Sequence, residues 1–171
     1  SERVIFDSKQ LPFSLGHASL ETQSLVPPHD TQVTFSVYTI NNGNNTDVYM
    51  VDSETGNYRT ITNSPCCYDE PEGIFPGLHT LVEHGNSEKN AWPLLDLYKL
   101  KLDGSGEMQR LTHFTNYKGY KANQGVISDD GKYMCFQIGK DNTEPGVGFG
   151  FLIMDLEEAA KHLEGFKTYD Q

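Results

Sequence analysis

Asp47-Val-Tyr-Met-Val-Asp-Ser-Glu-Thr-Gly-Asn-Tyr-Arg-Thr-Ile-Thr62 returns further along the chain as Asp96-Leu-Tyr-Lys-Leu-Lys-Leu-Asp-Gly-Ser-Gly-Glu-Met-Gln-Arg-Leu-Thr112. The two copies lie roughly 50 residues apart, the length of one propeller blade. Both begin Asp-aliphatic-Tyr, turn through glycine and end in Arg and Thr, so each predicts a hairpin of two short strands. A fainter third copy, Gly150-Phe-Leu-Ile-Met-Asp155-Leu156, follows about one period later.

A second hairpin pattern precedes each copy. Glu72-Gly-Ile-Phe-Pro-Gly-Leu-His-Thr-Leu-Val-Glu83 aligns with Gln124-Gly-Val-Ile-Ser-Asp-Asp-Gly-Lys-Tyr-Met-Cys-Phe-Gln137, and Gln23 to Ser36 has the same shape around Pro27-Pro28-His29-Asp30. Two hairpins per unit predict a four-stranded antiparallel blade. Such a small sheet buries neither face alone, whereas stacking between neighbours buries both. The fold class expected is therefore all-β, with about three blades and a short C-terminal helix. The alternative is a sandwich of unrelated hairpins.

These motifs resemble the PD40 repeat of TolB-like propellers, a WD40-like blade type: Ser128-Asp-Asp-Gly131-Lys, an aromatic-rich strand, Asp-x-Tyr, an Asp-Gly turn and Arg110-Leu-Thr112. The resemblance covers most of residues 16 to 156. It implies a fold rather than an activity, since similar blades serve as scaffold proteins, as non-catalytic domains of prolyl-oligopeptidase-like enzymes and in polysaccharide lyases. The turns depart from the pattern at Pro27-Pro28 and at Pro76-Gly77.

The expected organisation is a single partial propeller over 1–171: an N-terminal strand or linker at 1–15, blades at 16–66 and 67–118, an incomplete blade at 119–156, and a helix and tail at 157–171. Arg3-Val-Ile-Phe6 reads as a short strand, left from a preceding blade or closing the ring. Rings close with about 4 to 8 blades, so the remaining blades are expected from a longer chain or a second chain. Glu157 to Glu164 looks like a terminal helix and a true chain end.

The chain has 171 residues and a formal charge of −11, with a pI near 4.8. That charge repels a phosphate backbone and makes nucleic acid a poor partner. No apolar run is long enough for a membrane span. Without a signal sequence in view, a secreted or periplasmic location rests on the resemblance alone. Cys66, Cys67 and Cys135 show neither disulfide nor zinc spacing. Asn44-Asn45-Thr46 matches the N-glycosylation pattern.

Innermost strands line a propeller's axis, so the residues taken to open them, Gln23, Glu72 and Gln124, converge at a channel mouth. His17, Glu21, Asp69 and Lys121 lie near them in sequence. Together these carboxylates, amides, imidazole and ammonium are expected to bind a hard cation (Ca, Mn or Mg) or a polar ligand such as a sugar acid, or simply to hydrate the channel. His84 reads as solvated surface. Gly146-Val-Gly148-Phe-Gly150 lacks phosphate-loop spacing and reads as a close-packed loop, and Trp92 offers an aromatic platform between blades. No nucleophile elbow is present. Three functions stay open: a non-catalytic module holding a protein or glycan partner, a carbohydrate-active lyase or hydrolase using His17, Glu72, Lys121 and Gln124, and a structural domain serving a catalytic domain elsewhere.

Overall fold

A computed structural model describes residues 2–11, 15–18, 23–39, 46–64, 67–86, 94–141, 143 and 147–162. The first blade consists of β1 (Leu15–Ala18) and β2 (Gln23–Ser24), both paired with β3 (Gln32–Thr39), followed by β4 (Thr46–Asp52) and β5 (Tyr58–Thr60). The second is a meander of β6 (Cys67–Phe75), β7 (His79–Asn86), β8 (Asp96–Lys101) and β9 (Met108–Arg110). The third has, among the described residues, three strands, β10 (Tyr120–Ile127), β11 (Tyr133–Lys140) and β12 (Phe151–Asp155), and then α1 (Leu156–Ala160). All pairing within blades is antiparallel.

The repeated residues explain why the two long copies fold alike. Asp47 Oδ1 accepts from Thr62 Oγ1 at 3.1 Å and from the Ser64 amide at 2.8 Å, while Thr62 Oγ1 accepts from the Val48 amide at 2.9 Å. In the next blade Asp96 Oδ1 accepts from Thr112 Oγ1 at 2.7 Å and from the Phe114 amide at 2.8 Å, and Thr112 Oγ1 accepts from the Leu97 amide at 2.9 Å. The first and last residues of each hairpin are thus tied by one staple. Gly56 and Gly106 both take φ +73°, the left-handed conformation that the hairpin turn needs and glycine adopts freely. The repeat's aspartate and threonine are therefore scaffold and not a site.

The faces alternate as strands require. Val48, Met50 and Ile61 of the first blade meet Val82, Leu100 and Leu102 of the second in one buried cluster. Phe75, Leu81, Leu97 and Leu111 of the second meet Ala122, Met134 and Phe136 of the third in another, which Leu156 of α1 enters. The second blade thus buries both faces only through its neighbours, and the radial stack is that of a β-propeller rather than a sandwich. Among the described residues, a single backbone-to-backbone bridge also crosses each seam. Thr46 pairs in parallel with Tyr68, and the Ala122 amide donates to Leu95 O at 2.9 Å. Thr46 and Leu95 each immediately precede a repeat aspartate.

Two expectations are corrected at the ends. Arg3 to Phe6 forms no strand; the Arg3 guanidinium donates to Ser53 O and Phe6 packs as a loop residue on Phe35 and Tyr58. Polar Ser1, Glu2 and Asp7 around so short an apolar run leave it without a partner strand. The helix starts one residue earlier than expected, at Leu156, because Asp155 accepts from the Glu158 amide and caps it. It ends at Ala160, with His162 the last described residue.

Candidate functional site

The polar residues of the second blade come from one hairpin. Cross-strand pairing sets Glu70 opposite Glu83 and Asp69 opposite His84. Period-two alternation sends the two pairs to opposite faces. Glu70 and Glu83 look toward the third blade, Asp69 and His84 toward the first.

At Glu72 the register slips, from Pro71 opposite Val82 to Gly73 opposite Leu81. This β-bulge re-aims Glu72, and ligand oxygens of Glu70, Glu72 and Glu83 lie within 4.8 Å of one another. All three residues are buried. The third blade supplies a partner through a bulge of its own, between Asn123 and Val126. There Gln124, at φ +54°, turns its amide to Glu83 Oε1 at 2.5 Å. The Tyr68 hydroxyl donates to Glu70.

Three carboxylates cannot all be charged in so dry a place without a counter-charge. Burial pushes the Glu83 carboxyl up to about 7, and the Glu70 charge adds to this. The Gln124 amide, a hydrogen bond shared with Glu72 and the charge of Lys121 oppose it. A bond between two carboxyl groups requires one of them to hold the proton. Glu70, Glu72 and Glu83 are also the set that could hold a hard cation in place of that proton, since such ions take carboxylate oxygens.

On the opposite face, His84 Nδ1 sits 2.6 Å from Asp69 Oδ1. Asp69 is fully buried, while the His84 side chain keeps 21% of its exposure and meets the Tyr98 ring edge-on at 4.8 Å. His84 is therefore an imidazole held by Asp69 through Nδ1, and not solvated surface as its loop-end position suggested. The Asp69 charge also reaches Asp47 of the first blade.

Of the residues selected from sequence, Glu72 and Gln124 do come together, through Glu83. They sit within their strands at matched bulges instead of opening them, because Pro71, which looks like a strand breaker, is accommodated next to the irregularity. Gln124 has an exposed side chain and Glu72 a buried one. Asp69 belongs to the other seam. Lys121 lies on the face of β10 turned away from the second blade, across Gly139, with Nζ donating to Thr143 O at 3.3 Å. Burial pushes its ammonium down, while the charges of Glu83 and Asp141 push it up. His17 lies in β1 and Gln23 in β2, the inner strands of the first blade. Glu21, Trp92, Cys66 and Asn44 lie outside the described residues. Cys135 is a half-buried free thiol and Cys67 is buried in β6.

Sequence inspection missed Glu70, Glu83 and His84 as site members. The signal was the hairpin register counted back from the turn after Phe75, which gives these pairings only once a bulge at Glu72 is allowed. In the described part of the glycine run the residues are exposed, the Phe149 amide donates to Ile138 O at 2.8 Å and Gly148 lies against the Gln137 side chain.

Stacked antiparallel blades sharing their inter-blade cores define the class, a β-propeller module. Among solved structures, the chain is similar to TolB from Acinetobacter baumannii, with 18% identity, a TM-score of 0.50, and coverage of 77% of this chain and 29% of that one. It is also similar to the protein assigned as TolB in Agrobacterium tumefaciens, at 16% identity and TM-score 0.54, covering 77% and 44%. A structure from an analysis of two prolyl endopeptidases matches at 15% identity and TM-score 0.49, covering 82% and 21%. The chain thus spans less than half the length of each, and its fold is that of a partial TolB-like propeller. No family model and no curated protein matches the sequence. Among the described residues no helix is long and apolar enough to cross a membrane.

Proposed function

We propose that this chain is a TolB-like propeller module that binds a protein or glycan partner at the axis end of its blade seams, as part of a larger ring and in a secreted or periplasmic setting. The observation that carries the reading is the pair of matched bulges, Glu72-Gly73 and Gln124-Gly125, on neighbouring inner strands. Bulges recur where a strand must present a side chain out of line with its sheet, and here they concentrate carboxyl, amide and backbone donors at one seam. Gln124 is the exposed member, positioned to meet a ligand first. Ring completion is supported by the third blade, whose far face exposes Val126, Tyr133, Phe151 and Ile153, an apolar surface that soluble proteins normally cover.

Calorimetric titration with calcium, manganese and magnesium, and then with neutral and acidic oligosaccharides, tests the site. Glu72→Ala and Gln124→Ala should each weaken any binding found by about tenfold or more. Unchanged affinity in both would remove these residues from the site.

A carbohydrate-active reading has one observation in its favour: the buried Glu83 carboxyl bonds to Glu72 and is pushed by burial up to about 7, near the range where a carboxyl works as a general acid or base at neutral pH. Its test is the appearance of unsaturated or reducing-end products from acidic polysaccharides, abolished by Glu83→Gln.

A further inference from the structure

Both internal seams join the same two kinds of surface. The leading face of one blade (Phe75, Leu81 and Leu97 in the second) packs on the trailing face of the next (Ala122, Met134 and Phe136 in the third). The trailing face of the first blade carries the corresponding apolar set: Val33, Phe35 and Val37 of β3 with Tyr49 and Val51 of β4. No blade covers it among the described residues, yet it is buried. Leu11 and Phe6 complete its cluster. The Phe6 ring lies 5.1 Å from both Phe35 and Tyr58, and the Tyr58 hydroxyl donates to Gln10 O at 3.1 Å.

The covering segment differs from a blade in how it is held. Residues 2–11 form a loop with a single 3-10 turn at Ser8–Gln10, and none of them pairs as a strand with the first blade. Val4 is 80% exposed. Two aromatic contacts, one buried leucine and the bonds from Arg3 and Tyr58 stand where the other seams have several interlocked strands.

We propose that residues 2–11 are a removable cap on a blade-docking face, and that this face, once bare, takes the exposed leading face of the third blade of a second copy. The second copy is the occupant because one chain carries both halves of the observed seam: a trailing face under the cap and, at the other end, the exposed apolar face of β10 to β12. Head-to-tail contact of this kind closes a ring or runs on as a filament. It goes beyond the ligand reading and does not depend on it.

The test compares sedimentation of the full chain with Phe6→Asp/Leu11→Asp and with the same variant carrying Ile153→Asp. The charged cap should give concentration-dependent association of a folded chain, and Ile153→Asp should return it to the wild-type mass. Association that ignores Ile153→Asp, or a folded double variant that stays at wild-type mass, overturns the proposal. If the variant does not fold, thiol labelling read peptide by peptide decides. Val33→Cys, under the cap, should label at least tenfold faster than Val48→Cys, under the second blade. Equal rates would make the cap an integral part of the blade and sink the idea.

Discussion

Asp47 and Asp96 stand at equivalent places in their blades but in different company. Asp96 binds, besides its threonine, the Arg110 guanidinium at 2.6 Å and the Thr115 hydroxyl at 2.5 Å. The matching Arg59 reaches across the seam instead, donating to Leu102 O at 2.7 Å. Asp96→Ala leaves the Arg110 charge and several buried donors unpaired, and should lower unfolding free energy by about 3 kcal/mol. Asp47→Ala should cost about 1–2 kcal/mol. Urea denaturation followed by circular dichroism checks both, and equal effects would mean that the Arg110 contact adds nothing.

Two titrating groups give opposite pH signatures. Burial, followed by the Lys99 and Lys101 charges, lowers the His79 imidazole to about 4. Its folded state prefers the neutral ring, so its stabilising contribution is complete above about 6.5 and is lost as pH falls through 4. Glu83, raised by burial to about 7, prefers its proton when folded; its contribution is present below about 4.5 and is lost as pH rises through 7. Denaturation midpoints measured against pH should therefore flatten on the acid side in His79→Gln and on the neutral side in Glu83→Gln.

Among elements, the tight points lie at the seams. A Cβ on Gly125 would come within 2.5 Å of Leu81 Cδ2 and 3.2 Å of Leu97 Cδ1. Gly125→Ala should force the second and third blades apart at a cost of about 1–3 kcal/mol, whereas Gly104→Ala, with nothing within 4 Å, meets only the strain of its left-handed backbone. Calorimetric midpoints of the two variants separate packing from backbone effects. Leu156, buried at the foot of α1, should cost about 2–5 kcal/mol when cut to alanine. That would show that the short helix serves the blade core rather than decorating it.

Also at this scale lies the boundary of what the sequence disclosed. The hairpins were legible because their staples are local: Asp47 with Thr62 and Asp96 with Thr112 each close a short loop whose residues recur in order. The carboxyl trio was not. Glu70 and Glu83 meet only through cross-strand register, Glu72 joins them only because a bulge breaks that register, and their donor, Gln124, comes from another blade. Glu72 and Gln124 were visible as matched positions, but burial separates their roles. Lys121, a neighbour of Gln124 in sequence, turns to the far face because alternation along β10 carries it there.

For the molecule as a whole, the exposed face of the third blade and the acidic charge act against each other. The charge of −11 keeps chains apart at neutral pH. Near the pI of about 4.8 that repulsion vanishes, and Phe151 and Ile153, 71% and 74% exposed, should drive association. Light scattering against pH should rise toward that point, and Phe151→Asp/Ile153→Asp should suppress the rise by more than its small shift of pI accounts for.

Among the described residues, one backbone bridge crosses each seam, Thr46 to Tyr68 and Leu95 to Ala122. Mechanically, the blades are leaves whose described backbones meet at one stitch apiece at the residue before the repeat aspartate, with a side-chain bond beside each, from Arg59 to Leu102 O and from the Gln124 backbone amide to Glu83. A pull applied to the two ends of the chain loads these stitches one at a time and not as a shared ladder, so extension should proceed in blade-sized steps, each beginning when its stitch gives way.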